Sequence, residues 1–317
     1  MNSHTIVKAA PRHFLDLTEM SGEELRRVLD LSATLKAGRQ EAKATGRKPL
    51  AGKVLAMIFD RPSTRTRVSF ELAARRLGAD VASVEVQLSS RLKGESMLDT
   101  VATLEALHVD VFVLRDAQAE VPDLVAAAVG PHVSVLSGGA GSYSHPTQGL
   151  LDALTVLERK GRIDGLDIAI VGDVRHSRVA RSAYQIFGAL GVGQLRIVAP
   201  AALMPDAGEF AGCVRHGDID RGIEGCDVVM MLRIQKERMT AASIPGEAEY
   251  FAEWGLTPDR LRRAKPDAMV MHPQPMNRGV EIDGAVADGP QSAIRDQVRH
   301  GVAVRMAVLE TIMGARS

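Results

Sequence analysis

The chain has 317 residues, in which 39 Lys plus Arg balance 39 Asp plus Glu. This length suggests two domains, and the zero net charge argues against a nucleic-acid-binding or polybasic membrane protein. Aromatic residues make up only 3% of the chain, which argues against a stacking platform for single strands. Two cysteines are too few for a disulfide framework or a four-thiolate metal site.

The sequence shows no apolar run long enough to span a membrane, and residues 1–12 carry no signal-peptide pattern. Cys213 and Cys226 are expected to be small buried residues in a reducing compartment. We therefore expect a cytoplasmic protein.

Helical and strand-like patterns alternate along the chain, which is typical of α/β architecture with parallel sheets. Ser21 and Glu24 have the spacing of a capping box and predict the first helix. The following set has predicted strands at 54–59, 81–86, 109–114 and 132–136, and predicted helices at 68–77, 97–107 and 121–128.

A predicted helix at 145–160 leads to a second set. Its predicted strands are 166–171, 195–198, 227–232 and 268–271. Residues 241–264 are predicted as a long loop followed by a helix, since Thr257 suits a cap and Pro258 suits the first helical position. The last helix, at 291–313, is long enough to cross between domains.

A Ser/Thr/Arg segment follows the first strand and opens the next helix; it comprises Ser63, Thr64, Arg65, Thr66 and Arg67. A helix N-terminus presents unpaired N–H groups and the positive end of its dipole. Hydroxyl and guanidinium groups add donors that match phosphate oxygens. The segment therefore predicts an anion site, the structural alternative being an ordinary Ser/Thr cap with solvated arginines.

His145 and Gln148 open a helix after a glycine-rich stretch. A histidine there can donate a hydrogen bond to a developing oxyanion, and the glutamine can orient an amide or an amine. The alternative is a helix-start histidine with structural hydrogen bonds only.

Polar side chains also follow the strands of the second set. Arg178 and Arg233 are placed to hold carboxylates. Two prolines in the segment of Gln274 and Pro275 can present carbonyl oxygens rigidly. His272, in the same segment, is expected to be structural.

Lys93 lies in a polar loop and Arg115 ends a strand. With Arg65, Arg178 and Arg233, they place positive charge at strand ends, adjacent loops and helix starts of a neutral protein. This pattern predicts a site for a polyanionic small molecule. No metal-ligand spacing and no dinucleotide fingerprint of glycines is present, so we expect no metal and no other cofactor.

These motifs resemble those of the carbamoyltransferase family over nearly the whole chain. Residues 63–67 resemble its carbamoyl-phosphate motif, and residues 145–148 resemble its second signature. The segments of Lys93, Arg178, Arg233 and residues 272–282 are similar to the aspartate branch of the family. The first third, at 13–60, looks closer to the ornithine branch.

The resemblance implies two doubly wound parallel α/β domains joined by interdomain helices, at 1–148 and 149–290. It also implies that a C-terminal helix, at 291–317, returns to the first domain. The implied reaction is carbamoyl transfer from carbamoyl phosphate to L-aspartate, in pyrimidine biosynthesis. The family further implies a homotrimer with shared active sites, in which the loop of Lys93 reaches a neighbouring subunit.

The resemblance also implies a role for each candidate residue. The phosphate is assigned to Ser63, Thr64, Arg65 and Thr66, and the carbamoyl oxygen to Thr66, Arg115 and His145. The carbamoyl amide is assigned to Gln148, Gln274 and Pro275, and the aspartate to Lys93, Arg178, Arg233 and Gln235. The catalytic residues that the resemblance implies are Arg65, Thr66, Lys93, Arg115 and His145.

Two alternatives stay open: transfer to another amino acceptor such as ornithine, and an inactive scaffold paralogue. The sequence departs from the aspartate branch at Asp116, at residues 138–141 and at Gln274. Arg178 and Arg233 disfavour a cationic acceptor, and a scaffold has no need of the motifs retained here. Whether regulatory or dihydroorotase-like chains join the trimer is also open.

Overall fold

The computed structural model describes residues 11–38, 47–60, 63–85, 94–235 and 246–314. The chain forms two compact units, one of Met1–Ala140 with Val302–Ser317 and the other of Gly141–Gly301. The division therefore lies before the 145–148 motif and inside the last helix, whereas the sequence placed the boundaries after residues 148 and 290. Across the described ranges, no helix is long and apolar enough to cross a membrane.

The first unit is built on a parallel sheet whose strands alternate with helices. Its elements are α1 (Gly22–Ala37), β1 (Val54–Phe59), α2 (Thr64–Leu77), β2 (Asp80–Glu85), α3 (Met97–Ala106), β3 (Val111–Asp116), α4 (Val121–Ala128) and β4 (Ser134–Ala140). The strand order is β2-β1-β3-β4, so the winding direction reverses between β1 and β3. In open α/β sheets, such a switch point forms a crevice at the carboxyl ends of the strands, where ligands bind.

Local sequence explains the start of this unit. Ser21 Oγ accepts the Glu24 N–H at 3.3 Å, and Glu24 Oε2 accepts the Ser21 N–H at 2.7 Å, which confirms the predicted capping box. Strands β1, β3 and β4 are almost entirely buried, as expected of parallel strands covered on both faces.

The second unit contains a five-stranded parallel sheet of order β7-β6-β5-β8-β9. Its strands are β5 (Asp167–Val171), β6 (Gln194–Val198), β7 (Val214–His216), β8 (Val228–Met231) and β9 (Met269–Met271). Its helices are α5 (Pro146–Lys160), α6 (Arg178–Ala189), α7 (Ile219–Gly222), α8 (Glu247–Trp254), α9 (Pro258–Leu261) and α10 (Gly284–Ala287), with α11 (Ile294–Gly314) running on into the first unit. The switch point here lies between β5 and β8.

The predicted fold class is confirmed, because both sheets are parallel and the end of α11 belongs to the first unit. One predicted loop is wrong, since α8 occupies Glu247–Trp254. Its N-cap is Gly246, which has no side chain to signal a helix start. The helix after Thr257 exists, but it ends after four residues at Leu261.

Two of the boundaries that differ from the prediction concern candidate site segments. The helix α2 begins at Thr64 rather than at residue 68, so the Ser/Thr/Arg segment forms its first turn. The strand β4 continues to Ala140, although the sequence placed a loop after residue 136. Its glycines allow close pairing, because a Cβ on Gly138 would lie 3.2 Å from the Leu114 carbonyl oxygen.

Candidate active site

The first cluster of candidate residues lies at the switch point of the first sheet. Ser63 is the N-cap of α2, but its side chain makes no capping hydrogen bond. Ser63 therefore does not cap the helix through its side chain, and the first turn of α2 contains no acidic residue. The N–H groups of this turn and the Ser63 hydroxyl are available to an anion.

Three further candidates occupy the first turn itself. Thr64 and Arg65 are exposed, whereas Thr66 is buried. Partial desolvation lowers the pKa of the Arg65 guanidinium, and within the described ranges no carboxylate pairs with it. A partly desolvated cation at a helix N-terminus gains from binding a phosphate-like dianion.

Arg115 belongs to the same switch point. It lies in β3 directly opposite Phe59, the last residue of β1. Its Nη1 donates to the Gly138 carbonyl oxygen at 2.9 Å, which holds the guanidinium at the sheet edge. The adjacent Asp116 accepts the Gln118 N–H at 2.9 Å and so takes part in the turn after the strand.

A second arginine of this cluster was missed by sequence reasoning. Arg305 is 3% exposed, and its guanidinium carbon lies 4.9 Å from the centre of the Phe70 ring of α2. Burial, together with the positive charge of Arg115, lowers the pKa of Arg305 to about 9. The sequence signal was weak, because a single arginine on an apolar helix is usually exposed.

The second cluster lies at the switch point of the second sheet. Gly172 follows β5 with φ +117°, and a Cβ there would lie 2.6 Å from the Leu232 carbonyl oxygen. Only glycine permits this approach between the ends of β5 and β8. The next residue, Asp173, is fully buried and joins the two segments, since its Oδ2 accepts the Gln235 N–H at 3.0 Å.

Three predicted aspartate-binding residues lie on the segments that follow β5 and β8. Arg178 is the first residue of α6, and its Nη1 donates to the Gly141 carbonyl oxygen at 3.2 Å. Arg233 follows β8 and is half-buried. The Gln235 side chain donates to the His176 carbonyl oxygen at 2.9 Å, and Asp173 accepts from His176 Nδ1 at 2.8 Å.

The start of α5 carries the predicted His145 and Gln148. His145 is the N-cap, its side chain makes no capping bond, and its N–H donates to Ser182 Oγ at 2.9 Å. Its backbone therefore holds the helix start, and its imidazole is not spent on capping. Gln148 Nε2 donates to Asp152 Oδ1 at 2.9 Å, a buried partner that sequence reasoning missed.

The segment after β9 contains Gln274 and Pro275, joined by a cis peptide bond. Gln274 has φ +55°, and its N–H donates to His272 Nδ1 at 2.9 Å. His272 is buried, with Nε2 3.0 Å from Glu281 Oε1, and this confirms its structural role. Because Nδ1 accepts, Nε2 carries the proton and donates to the carboxylate.

Lys93 lies outside the described residues. Groups of three or more His, Cys, Asp or Glu that could hold a metal are also not found among the residues that the structure describes. Each unit thus has a sheet edge bearing cationic and amide donors. The first edge suits a phosphate-like anion, and the second suits carboxylates and an amide.

Two family models match the chain. The model for the aspartate/ornithine carbamoyltransferase carbamoyl-P binding domain matches residues 12–158, and the model for the aspartate/ornithine carbamoyltransferase Asp/Orn binding domain matches residues 164–312. Together they span most of the chain.

Individual relatives agree with the family models. The chain is 49% identical over 306 residues to the aspartate carbamoyltransferase catalytic subunit of Granulibacter bethesdensis, with 96% of each chain covered. It is also similar to the structure of aspartate transcarbamoylase from Trypanosoma cruzi in complex with carbamoyl aspartate and phosphate, with a TM-score of 0.86, 28% identity and coverage of 97% and 98%. For ornithine carbamoyltransferase from Pyrococcus furiosus, the TM-score is 0.83 at 30% identity, with coverage of 98% and 99%.

Proposed function

Because the chain belongs to the aspartate/ornithine carbamoyltransferase family, we propose that it transfers the carbamoyl group of carbamoyl phosphate to the amino group of L-aspartate. The products are N-carbamoyl-L-aspartate and phosphate, which places the reaction in de novo pyrimidine biosynthesis. The observation that carries the choice of acceptor is the 49% identity, over 96% of the chain, to an aspartate carbamoyltransferase catalytic subunit.

The reaction needs electrostatic stabilisation more than covalent catalysis. The amine attacks the carbamoyl carbon, negative charge develops on the carbamoyl oxygen, and the phosphate leaves as an anion. Preorganised donors aimed at these charges are usually the largest catalytic contribution. The first unit supplies such donors in the first turn of α2 and at the end of β3.

In the first unit, we assign the phosphate of carbamoyl phosphate to Ser63, Thr64, Arg65 and Thr66. Arg115 and Thr66 polarise the carbamoyl oxygen. The first turn of α2, which contains no acidic residue, and the partly desolvated Arg65 guanidinium support these assignments.

In the second unit, His145 is assigned to the carbamoyl oxygen, and Gln148, Gln274 and Pro275 are assigned to the carbamoyl amide. Arg178, Arg233 and Gln235 are assigned to the carboxylates of aspartate. Lys93, outside the described residues, is assigned to aspartate on the resemblance of its motif alone.

Ornithine is the second candidate acceptor, because the chain also resembles an ornithine carbamoyltransferase in structure. Its side chain ends in an amine, which is positively charged at neutral pH. At the edge that carries Arg178 and Arg233 it would meet like charges, whereas the second carboxylate of aspartate gains from them.

A transfer assay on the purified chain tests the proposal. Carbamoyl phosphate is supplied with L-aspartate, L-ornithine or N-acetyl-L-ornithine in parallel, and the ureido product is measured. We expect turnover with aspartate only. Turnover with another acceptor would reassign the specificity, and a folded protein inactive with all three would favour the scaffold alternative.

The proposed functional unit is a cytoplasmic homotrimer. The resemblance of the Lys93 segment to a family loop that reaches a neighbouring subunit supports the trimer, and the two free cysteines are consistent with a reducing compartment. Light scattering is expected to give a mass of about 102 kDa, three times the 34.0 kDa of one chain. A fully active monomer would contradict shared sites.

A further inference from the structure

A buried hydrogen-bonded chain runs through the second unit behind Gln148. The Asp152 Oδ1 atom accepts from Gln148 Nε2 at 2.9 Å and from Gln297 Nε2 at 2.7 Å. Gln297 Oε1 accepts the His272 N–H at 2.9 Å. Asp152 is fully buried, and Gln297 and His272 are at most 2% exposed.

The direction of each hydrogen bond in this series is set by groups that can only donate or only accept. A backbone N–H can only donate, so Gln297 must present its oxygen to His272 and its nitrogen to Asp152. Asp152 Oδ1 accepts from Gln297, and it also accepts whatever Gln148 presents. Gln148 must therefore present its amide nitrogen to Asp152.

The ionised carboxylate of Asp152 fixes these directions, because it can only accept hydrogen bonds. Burial raises the pKa of Asp152 to about 7, although the hydrogen bonds from both glutamines oppose the shift. Oδ2 has no hydrogen-bond partner among the described residues. Above pH 7 the carboxylate prevails, and its Oδ1 atom accepts from both glutamines.

The Gln148 amide is consequently held in one orientation. Its nitrogen is bound to Asp152, and its carbonyl oxygen receives no hydrogen bond from any group in the described ranges. An oxygen presented in this way is an acceptor, and it suits a ligand that offers an N–H donor. A freely rotating amide would accept or donate without preference.

We propose that Asp152 is a positioning residue that turns the Gln148 carbonyl oxygen toward the NH₂ group of the carbamoyl donor. Asp152 thereby lets the enzyme distinguish a carbamoyl group from an acetyl group, in which a methyl group replaces the NH₂. The proposal rests on the proposed function for its ligand, and it adds the residue that sets donor specificity.

Binding of two stable analogues tests the proposal without turnover. Phosphonoacetamide keeps the NH₂ group, and acetonylphosphonate carries a methyl group in its place. Calorimetry on the full chain above pH 7, where Asp152 is ionised, measures both Kd values for the wild type, Asp152→Leu, Asp152→Asn and Thr155→Val. Leucine resembles aspartate in shape but accepts no hydrogen bond, whereas asparagine retains an acceptor.

We expect the wild type to bind the amide about tenfold more tightly than the methyl ketone, as one hydrogen bond provides. Asp152→Leu should lose this preference by weakening amide binding alone, and Asp152→Asn should keep it. Thr155→Val is the matched control. Thr155 lies on the same helix as Asp152, and its hydroxyl forms a buried hydrogen bond of 2.8 Å with His300 Nδ1. Thr155→Val removes this bond, so it should lower the Tm and keep the preference for the amide analogue.

Several results would overturn the proposal. The first two concern Asp152→Leu: an unchanged preference for the amide analogue, or equal weakening of the binding of both analogues. The third is a lost preference in folded Asp152→Asn. This last variant also tests the proposal if Asp152→Leu does not fold. Aspartate turnover in the wild type with any of these results would leave the proposed function intact. Conversely, the expected preferences for the amide analogue without turnover of aspartate would support the positioning role of Asp152 and reject aspartate as the acceptor.

Discussion

At the scale of single residues, two buried histidines of the second unit have different predicted roles. The imidazole of His145 is not used to cap its helix, whereas His272 accepts from Gln274 and donates to Glu281. We expect His145→Ala to lower kcat about 10²–10³-fold, the usual cost of one oxyanion donor, with the protein still folded. Steady-state kinetics and a melting curve check both parts.

His272→Ala is the matched comparison. It leaves the buried Glu281 carboxylate without its histidine partner and should destabilise the protein by roughly 2–4 kcal/mol. If His145→Ala instead unfolded the protein, the structural reading of that histidine would be correct.

Arg233 is expected to act on the acceptor alone. Arg233→Ala should raise the KM for aspartate by about 10²-fold, since it removes a charged contact, while the Kd of phosphonoacetamide stays unchanged. Arg175→Ala provides the control, because Arg175 pairs with the exposed Asp206 at 3.0 Å. Unchanged acceptor kinetics in Arg233→Ala would remove Arg233 from the site.

At the scale of elements, the turn after β5 depends on one glycine. A Cβ on Gly172 would collide with the Leu232 backbone at 2.6 Å, and φ is +117°. Gly172→Ala should therefore lower the free energy of unfolding by about 1–3 kcal/mol and raise the KM for aspartate. Gly188→Ala, in α6 with open space around it, should stabilise by about 0.5–1 kcal/mol. Urea unfolding of the two variants gives the comparison, and equal effects would contradict it.

Elements with a local signal could be predicted from the sequence. The helix α4 has its predicted bounds, and α1 begins at its predicted capping box. The helix α8 was missed because its N-cap is a glycine, and β7 was missed because three residues show no period. Local pattern locates an element only when the element carries its own start signal or a few turns of periodicity.

The residues of the candidate site likewise divide into those with a local sequence signal and those without one. Residues at strand ends and helix starts could be found because topology places such positions at the ligand edge. Asp152 could not be found, since its partner Gln297 is 145 residues away and a buried carboxylate in a helix has no local signature. Arg305 likewise could not be found, because its partners Arg115 and Phe70 are distant in sequence.

At the scale of the whole molecule, buried charge makes stability depend on pH. For Asp152, burial raises the pKa from 3.8 to about 7. Between these values the folded protein binds a proton there that the unfolded chain releases. This contribution to stability is complete below pH 4 and is lost as the pH rises to 7. For Asp296, burial is the largest single influence and raises the pKa, but Arg159, Arg299 and His300 together outweigh it and lower the pKa. The stability that Asp296 contributes is therefore lost on acidification.

Comparing the wild type with Asp152→Asn isolates the first of these effects, because Asp296 is common to both proteins. The wild-type free energy of unfolding, measured relative to that of Asp152→Asn, should fall by up to about 1.4 kcal/mol per pH unit between pH 4.5 and 7. Urea unfolding at several pH values measures this difference. A flat difference would mean that Asp152 is already ionised in the folded protein at pH 4.5. A rising difference would mean that its folded pKa lies below 3.8, so that the two glutamines outweigh burial.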